Sequence, residues 1–204
     1  MYSSLLAIDP SLTCSGWAWF ALPKGDLRGV GKIKSLPPAQ GMTVRLEDVQ
    51  RKIEMLYDKL KIDEKTVLLC ESETTFLDPR AARKVEQVRG IFETVARQTG
   101  ALVPGRVNPR SVQFEVLGLK GKQTKRDDVK ACACHVAASL YGKALTGLGL
   151  DISGTKHKHQ DIIDAILIGH FSLSKIQQAE HAGVEIESLF AERSARRRVE
   201  GKGW

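Results

Sequence analysis

Four carboxylates stand where a carboxylate is costly. Asp9 ends the apolar run Ser4-Leu5-Leu6-Ala7-Ile8, and Glu71 ends the run Thr66-Val67-Leu68-Leu69-Cys70. Asp161 and Asp164 open the most apolar stretch of the chain, which carries Ile162, Ile163, Ala165, Ile166, Leu167, Ile168 and Phe171. A charge taken out of water in such surroundings must be paired, protonated or bound to a cation. Residues three apart share a helix face, so Asp161 and Asp164 point at one spot, and a helix start favours an anion there. Singly, each acid has a plainer reading. Asp9 before Pro10 suits a turn, Asp161 suits an N-cap, and Glu71 suits an arginine partner. Together the four require a shared counter-charge. Oxygen donors of this kind suit Mg²⁺ or Mn²⁺. Two such ions about 3.5–4 Å apart form the arrangement that hydrolyses phosphodiesters. Glu73 lies two residues past Glu71 and would share its strand face, but Glu71 is preferred because it directly follows the apolar run.

The charge balance points the same way. Lys plus Arg number 31 and Asp plus Glu 24, a net +7 in 204 residues, which favours a polyanionic partner. Lys120, Lys122, Lys125, Arg126 and Lys130 crowd one segment against Asp127 and Asp128. Gly118-Leu119-Lys120-Gly121-Lys122 lacks the G-x-x-x-x-G-K-[ST] spacing, so no nucleotide cofactor is expected. The cysteines Cys14, Cys70, Cys132 and Cys134 form neither a disulfide framework nor a zinc set, because C-x-C on a helix splays its thiols. No run of 18 apolar residues spans a membrane. The opening residues lack a basic n-region, so a cytoplasmic, nucleoid-associated protein is expected, or one in a host cytoplasm if viral.

The elements that must position these groups follow from periodicity. Runs 4–9, 15–22 and 27–36 read as an antiparallel meander. Residues 43–60 carry Val44, Leu46, Val49, Ile53, Leu56, Tyr57 and Leu60 at helical spacing. The continuous run 66–71 reads as a strand buried on both faces. Residues 79–99 form a second amphipathic helix with Gly100 as its stop, 101–107 a strand, and Asn108-Pro109 a helix start. Residues 124–140 and 161–173 are helical, with a loop over 145–159. Strands alternating with helices after a meander predict a three-layer α/β fold, a mixed five-stranded sheet with helices on both faces. The expected domain is 1–174, followed by a basic, partly helical tail over 175–204 that carries Arg196-Arg197-Arg198.

Several segments carry a family resemblance. Ile8-Asp9-Pro10-Ser11 followed by Gly16-Trp17 resembles the opening of RuvC-type Holliday junction resolvases, with Ser11 in place of the usual Gly. Leu69-Cys70-Glu71-Ser72 resembles their second acid at a strand end. Gln87-Val88-Arg89-Gly90 is similar to their Q-x-R-G segment, and Asp161-Ile162-Ile163-Asp164-Ala165 to their D-x-x-D-A closing motif. The ordered set covers residues 4–171. The resemblance implies a ribonuclease H-like fold, a homodimer, and Mg²⁺-dependent nicking of branched DNA. It gives Asp9, Glu71, Asp161 and Asp164 the catalytic and metal-binding positions. It implies phosphate contacts from Lys120, Lys122, Lys125, Arg126 and Arg110, with Lys125 steadying the scissile phosphate. Phe76 is the nearest aromatic to the family's junction-probing position, where Thr74 stands. His159, two before Asp161, is a candidate helper because imidazole titrates near neutrality.

Val88, Ile91, Phe92 and Val95 on the 79–99 helix are the expected dimer face, since a symmetric substrate favours two equivalent sites. The alternatives are a nuclease acting on RNA–DNA hybrids or flaps, and a non-catalytic junction-binding protein. An actin-like or sugar-kinase ATPase would need phosphate-loop glycines in both halves and about twice the length.

Overall fold

The computed structural model describes residues 1–72, 78–120, 125–152 and 158–190. Strands β1 (Ser4–Asp9), β2 (Cys14–Ala21) and β3 (Asp26–Lys34) form the expected meander. Helix α1 (Met42–Leu60) leads to β4 (Thr66–Glu71), which pairs parallel with β1. Helix α2 (Pro79–Gln98) is followed by β5 (Arg106–Val107), α3 (Pro109–Glu115), α4 (Arg126–Gly147), α5 (Gln160–Ala182) and the short α6 (Glu187–Phe190). The sheet order is β3-β2-β1-β4-β5.

The two sheet faces divide the core by strand parity. Leu6, Ile8, Leu68 and Cys70 pack against α1 and α2 with Val49, Ile53, Val88 and Phe92. Leu5, Ala7, Val67 and Leu69 pack against α4 and α5 with Ala137, Ile162 and Ile166. β1 and β4 are therefore buried on both faces, which is why they read as unbroken apolar runs. α1 and α2 are tied by Tyr57, whose hydroxyl donates to the Phe92 carbonyl at 2.9 Å.

Four expectations need correction. The strand over 101–107 is reduced to Arg106–Val107 plus an isolated Leu102–Val67 bridge. Pro104 has no N–H for a ladder, and Gly105 at φ +152° breaks the extended path. The loop over 145–159 begins only at Leu148, because α4 runs to Gly147. Leu145 is buried in the core, and this packing carries the helix past Gly142. A boundary at residue 174 falls inside α5, which continues unbroken to Ala182. Ile176, Ala179, Ile186 and Phe190 all join the core beyond that point. The apolar residues of α2 do not form an outer face: Val88, Phe92 and Val95 are spent on the protein's own sheet, and Ile91 is half-buried.

One contact sets how α5 meets the sheet. A Cβ on Gly16 of β2 would lie 1.8 Å from the Asp161 carbonyl oxygen and 2.3 Å from its carbon. Both obstacles are backbone, so neither yields by changing rotamer. Gly16→Ala is expected to lower stability by about 3 kcal/mol, the upper end of the overpacking range. Gly142→Ala, with open space around it, should instead raise stability by roughly 0.5–1 kcal/mol through helix propensity. Thermal unfolding of the two variants checks the pair; equal melting temperatures would remove the packing argument.

Candidate active site

The register across the sheet builds the site. Asp9 is opposite Gly16, and Gly16 is opposite Lys32. On the other side Ile8 faces Cys70, which brings Glu71 beside Asp9 one step further on, and Glu71 faces Val107. Lys32, Gly16, Asp9, Glu71 and Val107 thus make one row across all five strands. Strand alternation points the row toward α5, as the packing of Ala7, Leu69 and Val107 against that side shows. Because Gly16 has no side chain, the start of α5 settles directly over the row. Asp161 and Asp164, one turn apart, are delivered to it.

The turn after β1 is fixed locally. The Ser15 hydroxyl donates to the Ser11 carbonyl at 2.8 Å and accepts from the Ser11 amide at 2.9 Å. The end of β4 is held by Arg89, which is buried and donates its Nε to the Glu71 carbonyl at 2.7 Å. Arg89 also pairs with Glu86. The arginine partner considered for Glu71 therefore exists, but it grips the backbone and leaves the carboxylate to the site.

The four acids act on one another. Burial pushes Asp9 well above the usual carboxylate range, and the charges of Glu71, Asp164 and Asp161 and a hydrogen bond with Glu71 push further. Glu71 is pushed up to about 7, by burial first and then by Asp164, with the Asp9 hydrogen bond and Arg89 opposing. Asp164 is pushed up to about 6, chiefly by burial. Gln160 Nε2 donates to Asp164 Oδ1 at 2.7 Å, and Lys130 and Arg126 oppose the rise. Lys32 Nζ sits 2.9 Å from Asp161 Oδ2 and also donates to the Lys158 carbonyl. The Cys14 thiol hydrogen-bonds to Asp161 and is pushed up to about 11 by burial and that carboxylate, so it is no thiolate nucleophile. All four cysteines are free.

Sequence reasoning found the acids and placed Lys130 in the basic segment without assigning it to the site, and it missed Lys32. Lys32 was hidden because only the β2–β3 register shows that it falls in the acid row. Lys130 is one helical turn from Arg126, so α4 presents both toward Asp164. Lys125 is exposed at the N-cap position of α4. Arg110 borders a cavity beside Glu71 and Asp164 that Arg126 and Lys130 also line. Lys120 is exposed on the approach to α4. Lys122, Glu73, Thr74 and Phe76 lie outside the described residues. His159 occupies the N-cap position of α5, where its buried Nδ1 has no partner among the described residues. Burial, Lys32 and Lys158 hold that imidazole below its ordinary value.

The donor chemistry fits a hard divalent cation, since the cluster offers four carboxylates and the lysine paired directly with them, Lys32, answers Asp161. Among the described residues, however, no three such side chains already close as a metal shell. Asp161 is turned to Lys32, Asp164 to Gln160, and Asp9 and Glu71 to each other.

The architecture is that of the ribonuclease H-like α/β class: a mixed five-stranded sheet, an antiparallel meander, and helices on both faces. Within that class the chain has the fold of the RuvC-type resolvases. It superposes on Thermus thermophilus RuvC in complex with a Holliday junction substrate with TM-score 0.60 and 16% identity, covering 88% of this chain and 96% of that one. A second Thermus thermophilus RuvC structure gives TM-score 0.58 at 16% identity over the same shares of the two chains. The yeast mitochondrial Holliday junction resolvase Ydc2 gives 0.59 at 12% identity, covering 87% and 80% respectively. No family model and no curated protein matches the sequence. No helix among the described residues is long and apolar enough to cross a membrane.

The raised acids make stability depend on pH in a definite direction. Between the unfolded carboxyl range near 4 and the folded values of about 6 for Asp164 and 7 for Glu71, the folded state holds more protons. Their stabilising contribution is complete below pH 4 and is lost as pH rises through 6 to 7. The metal-free protein should therefore melt lower at pH 7.5 than at pH 5. Asp164→Asn should flatten that slope and raise the melting temperature at pH 7.5. Parallel pH profiles for the two proteins would show that the acids do not repel one another.

Proposed function

We propose that this protein is a structure-selective DNA endonuclease that resolves Holliday junctions or other branched DNA by metal-dependent phosphodiester hydrolysis. The observation that carries the reading is the convergence of Asp9, Glu71, Asp161 and Asp164 at one end of a sheet whose fold is shared with RuvC. Three of these acids, Asp9, Glu71 and Asp164, carry raised proton affinity. Buried like charges that cost stability are retained where they serve a site. A silent binding module would have no use for such repulsion.

In this reading the four acids would hold Mg²⁺ or Mn²⁺, two per site. Bound there, the ions would lower the pKa of water and neutralise charge on the leaving oxygen. The remaining tasks fall to the chain itself. Arg89 fixes the backbone under Glu71, and Gln160 orients Asp164. Lys32 holds Asp161 until a stronger cation competes for it. Arg126 and Lys130 draw the DNA phosphates toward the acids, and Arg110 extends that basic rim. Lys120, Lys122 and Lys125 add sequence-independent attraction, as does the tail that carries Arg196-Arg197-Arg198. Two copies per four-way junction would give paired nicks by symmetry, at a surface other than the sheet-facing side of α2.

The test measures binding and scission on matched four-way, three-way, flap, hybrid and linear substrates. Four-way DNA should be cut with Mg²⁺ and left intact with EDTA. Asp164→Asn should lose at least a hundredfold in cleavage rate, because charge stabilisation of the transition state goes, while junction affinity holds or rises. Full cleavage by folded Asp164→Asn would overturn the assignment. Equal cutting of hybrids and junctions would move the reading to a general ribonuclease H-like nuclease.

Mg²⁺ should also raise the melting temperature of the wild-type protein more at pH 7.5 than at pH 5, and do so weakly for Asp164→Asn. Lys130→Ala should weaken binding to all DNAs alike and reduce the salt slope by about one. An unchanged slope would place Lys130 off the phosphate path.

A further inference from the structure

A cavity of about 690 Å³ opens beside the acids, within the size range of small-ligand sites. It is bounded by α3, the turn after it, the first half of α4 and the start of α5. Its floor is apolar: Val112, Ala133, Leu167 and Ile168 line it and are buried. Glu71 and Asp164 stand at one side, and Arg110, Arg126 and Lys130 supply positive charge around it. Gln113 and Gln160 add carboxamides. Phe114 borders the same cavity and is 56% exposed, a large aromatic held in solvent on a helix whose Val112 is buried.

These features select the ligand by chemistry. A polyphosphate alone would leave the apolar floor wet. A hydrocarbon would leave the cations and carboxamides unanswered. A nucleobase carrying its phosphate satisfies all three, with a flat apolar face, a polar edge and an anion. Enzymes that take a base out of the stack hold it between apolar or aromatic side chains, and the cost is least where pairing is already broken. A branch point supplies such a nucleotide.

We infer that this cavity captures one unstacked nucleobase from the nucleotide next to the reacting phosphate, with Phe114 stacked on the base and Arg126 and Lys130 on its phosphates. The inference rests on the branched-DNA reading above and adds a nucleotide subsite to it. It makes Phe114 a substrate-binding residue and predicts that cutting depends on which base stands at that position.

The test uses four-way junctions carrying one 2-aminopurine at each exchange-point nucleotide in turn, bound in Ca²⁺. At one position the wild-type protein should change the fluorescence markedly. Phe114→Ala should abolish that change and weaken binding roughly tenfold, the scale of one base–aromatic stack. On a junction abasic at that position, wild type and Phe114→Ala should bind equally. Because Phe114 is exposed, the variant should melt with the wild type, and circular dichroism checks this. The inference is overturned if no position responds, or if Phe114→Ala weakens intact and abasic junctions alike. Scission of the same junctions in Mg²⁺ reads the nuclease proposal separately. Normal cutting without a fluorescence response removes the base subsite alone, and a response without cutting of any substrate removes the nuclease reading alone.

Discussion

The backbone of α5 touches the backbone of β2, and the rest of the site depends on that contact. At Gly16 the helix start comes so close that no side chain fits between them. The approach places Asp161 and Asp164 over a row of strand residues that already holds Asp9 and Glu71. Two residues distant in sequence by about 150 positions become neighbours because one residue between them in the sheet has no Cβ. Further along the same helix, a Cβ on Gly169 would lie 2.1 Å from the ring of Phe20, so α5 is seated on β2 at two points and cannot easily pivot. A rigid seat matters for a carboxylate cluster, since small displacements of ligands cost affinity and rate.

The price of this geometry is electrostatic. Four acids share one low-dielectric end of the sheet, and the protein offsets them unevenly. Lys32 pairs with Asp161 directly, Gln160 gives Asp164 a neutral donor, and Asp9 and Glu71 hydrogen-bond to each other. Arg126 and Lys130 contribute at longer range from α4. Each of the four acids thus has a partner within the protein. The neighbouring cavity has the complementary character, with buried apolar residues and the cationic Arg110, Arg126 and Lys130 in its lining.

Supporting charges lie under the sheet end. Arg89 from α2 donates to the Glu71 carbonyl, and Arg106 from β5 bonds Glu93 at 2.8 Å and Glu86 at 3.0 Å. Because Glu86 pairs with both arginines, α2, β4 and β5 are locked together beneath the acid row. The Gln87-Val88-Arg89-Gly90 segment, legible in the sequence as a motif, acquires its physical meaning here: its arginine is a buried clamp on the strand that ends in Glu71.

The amino-acid sequence by itself determined the elements and the acids. Short apolar runs bounded by turn residues read as strands buried on both faces, longer apolar or period-3.6 stretches read as helices, and carboxylates at the ends of such segments need a shared counter-charge. Those are local or compositional facts, carried by neighbours in the chain. The tertiary structure decided what depends on register and long-range packing. Lys32 joins the acid row only through its pairing with Gly16, and Lys130 faces Asp164 only once α4 is laid beside α5. Pro104 and Gly105 cut the last strand short, while Leu145 and Phe190, by burying themselves, extended the packed unit beyond what hydrophobic patterning marked. The apolar face of α2, ambiguous in sequence between core and interface, was consumed by the sheet, because periodicity says that a face is buried but not by what.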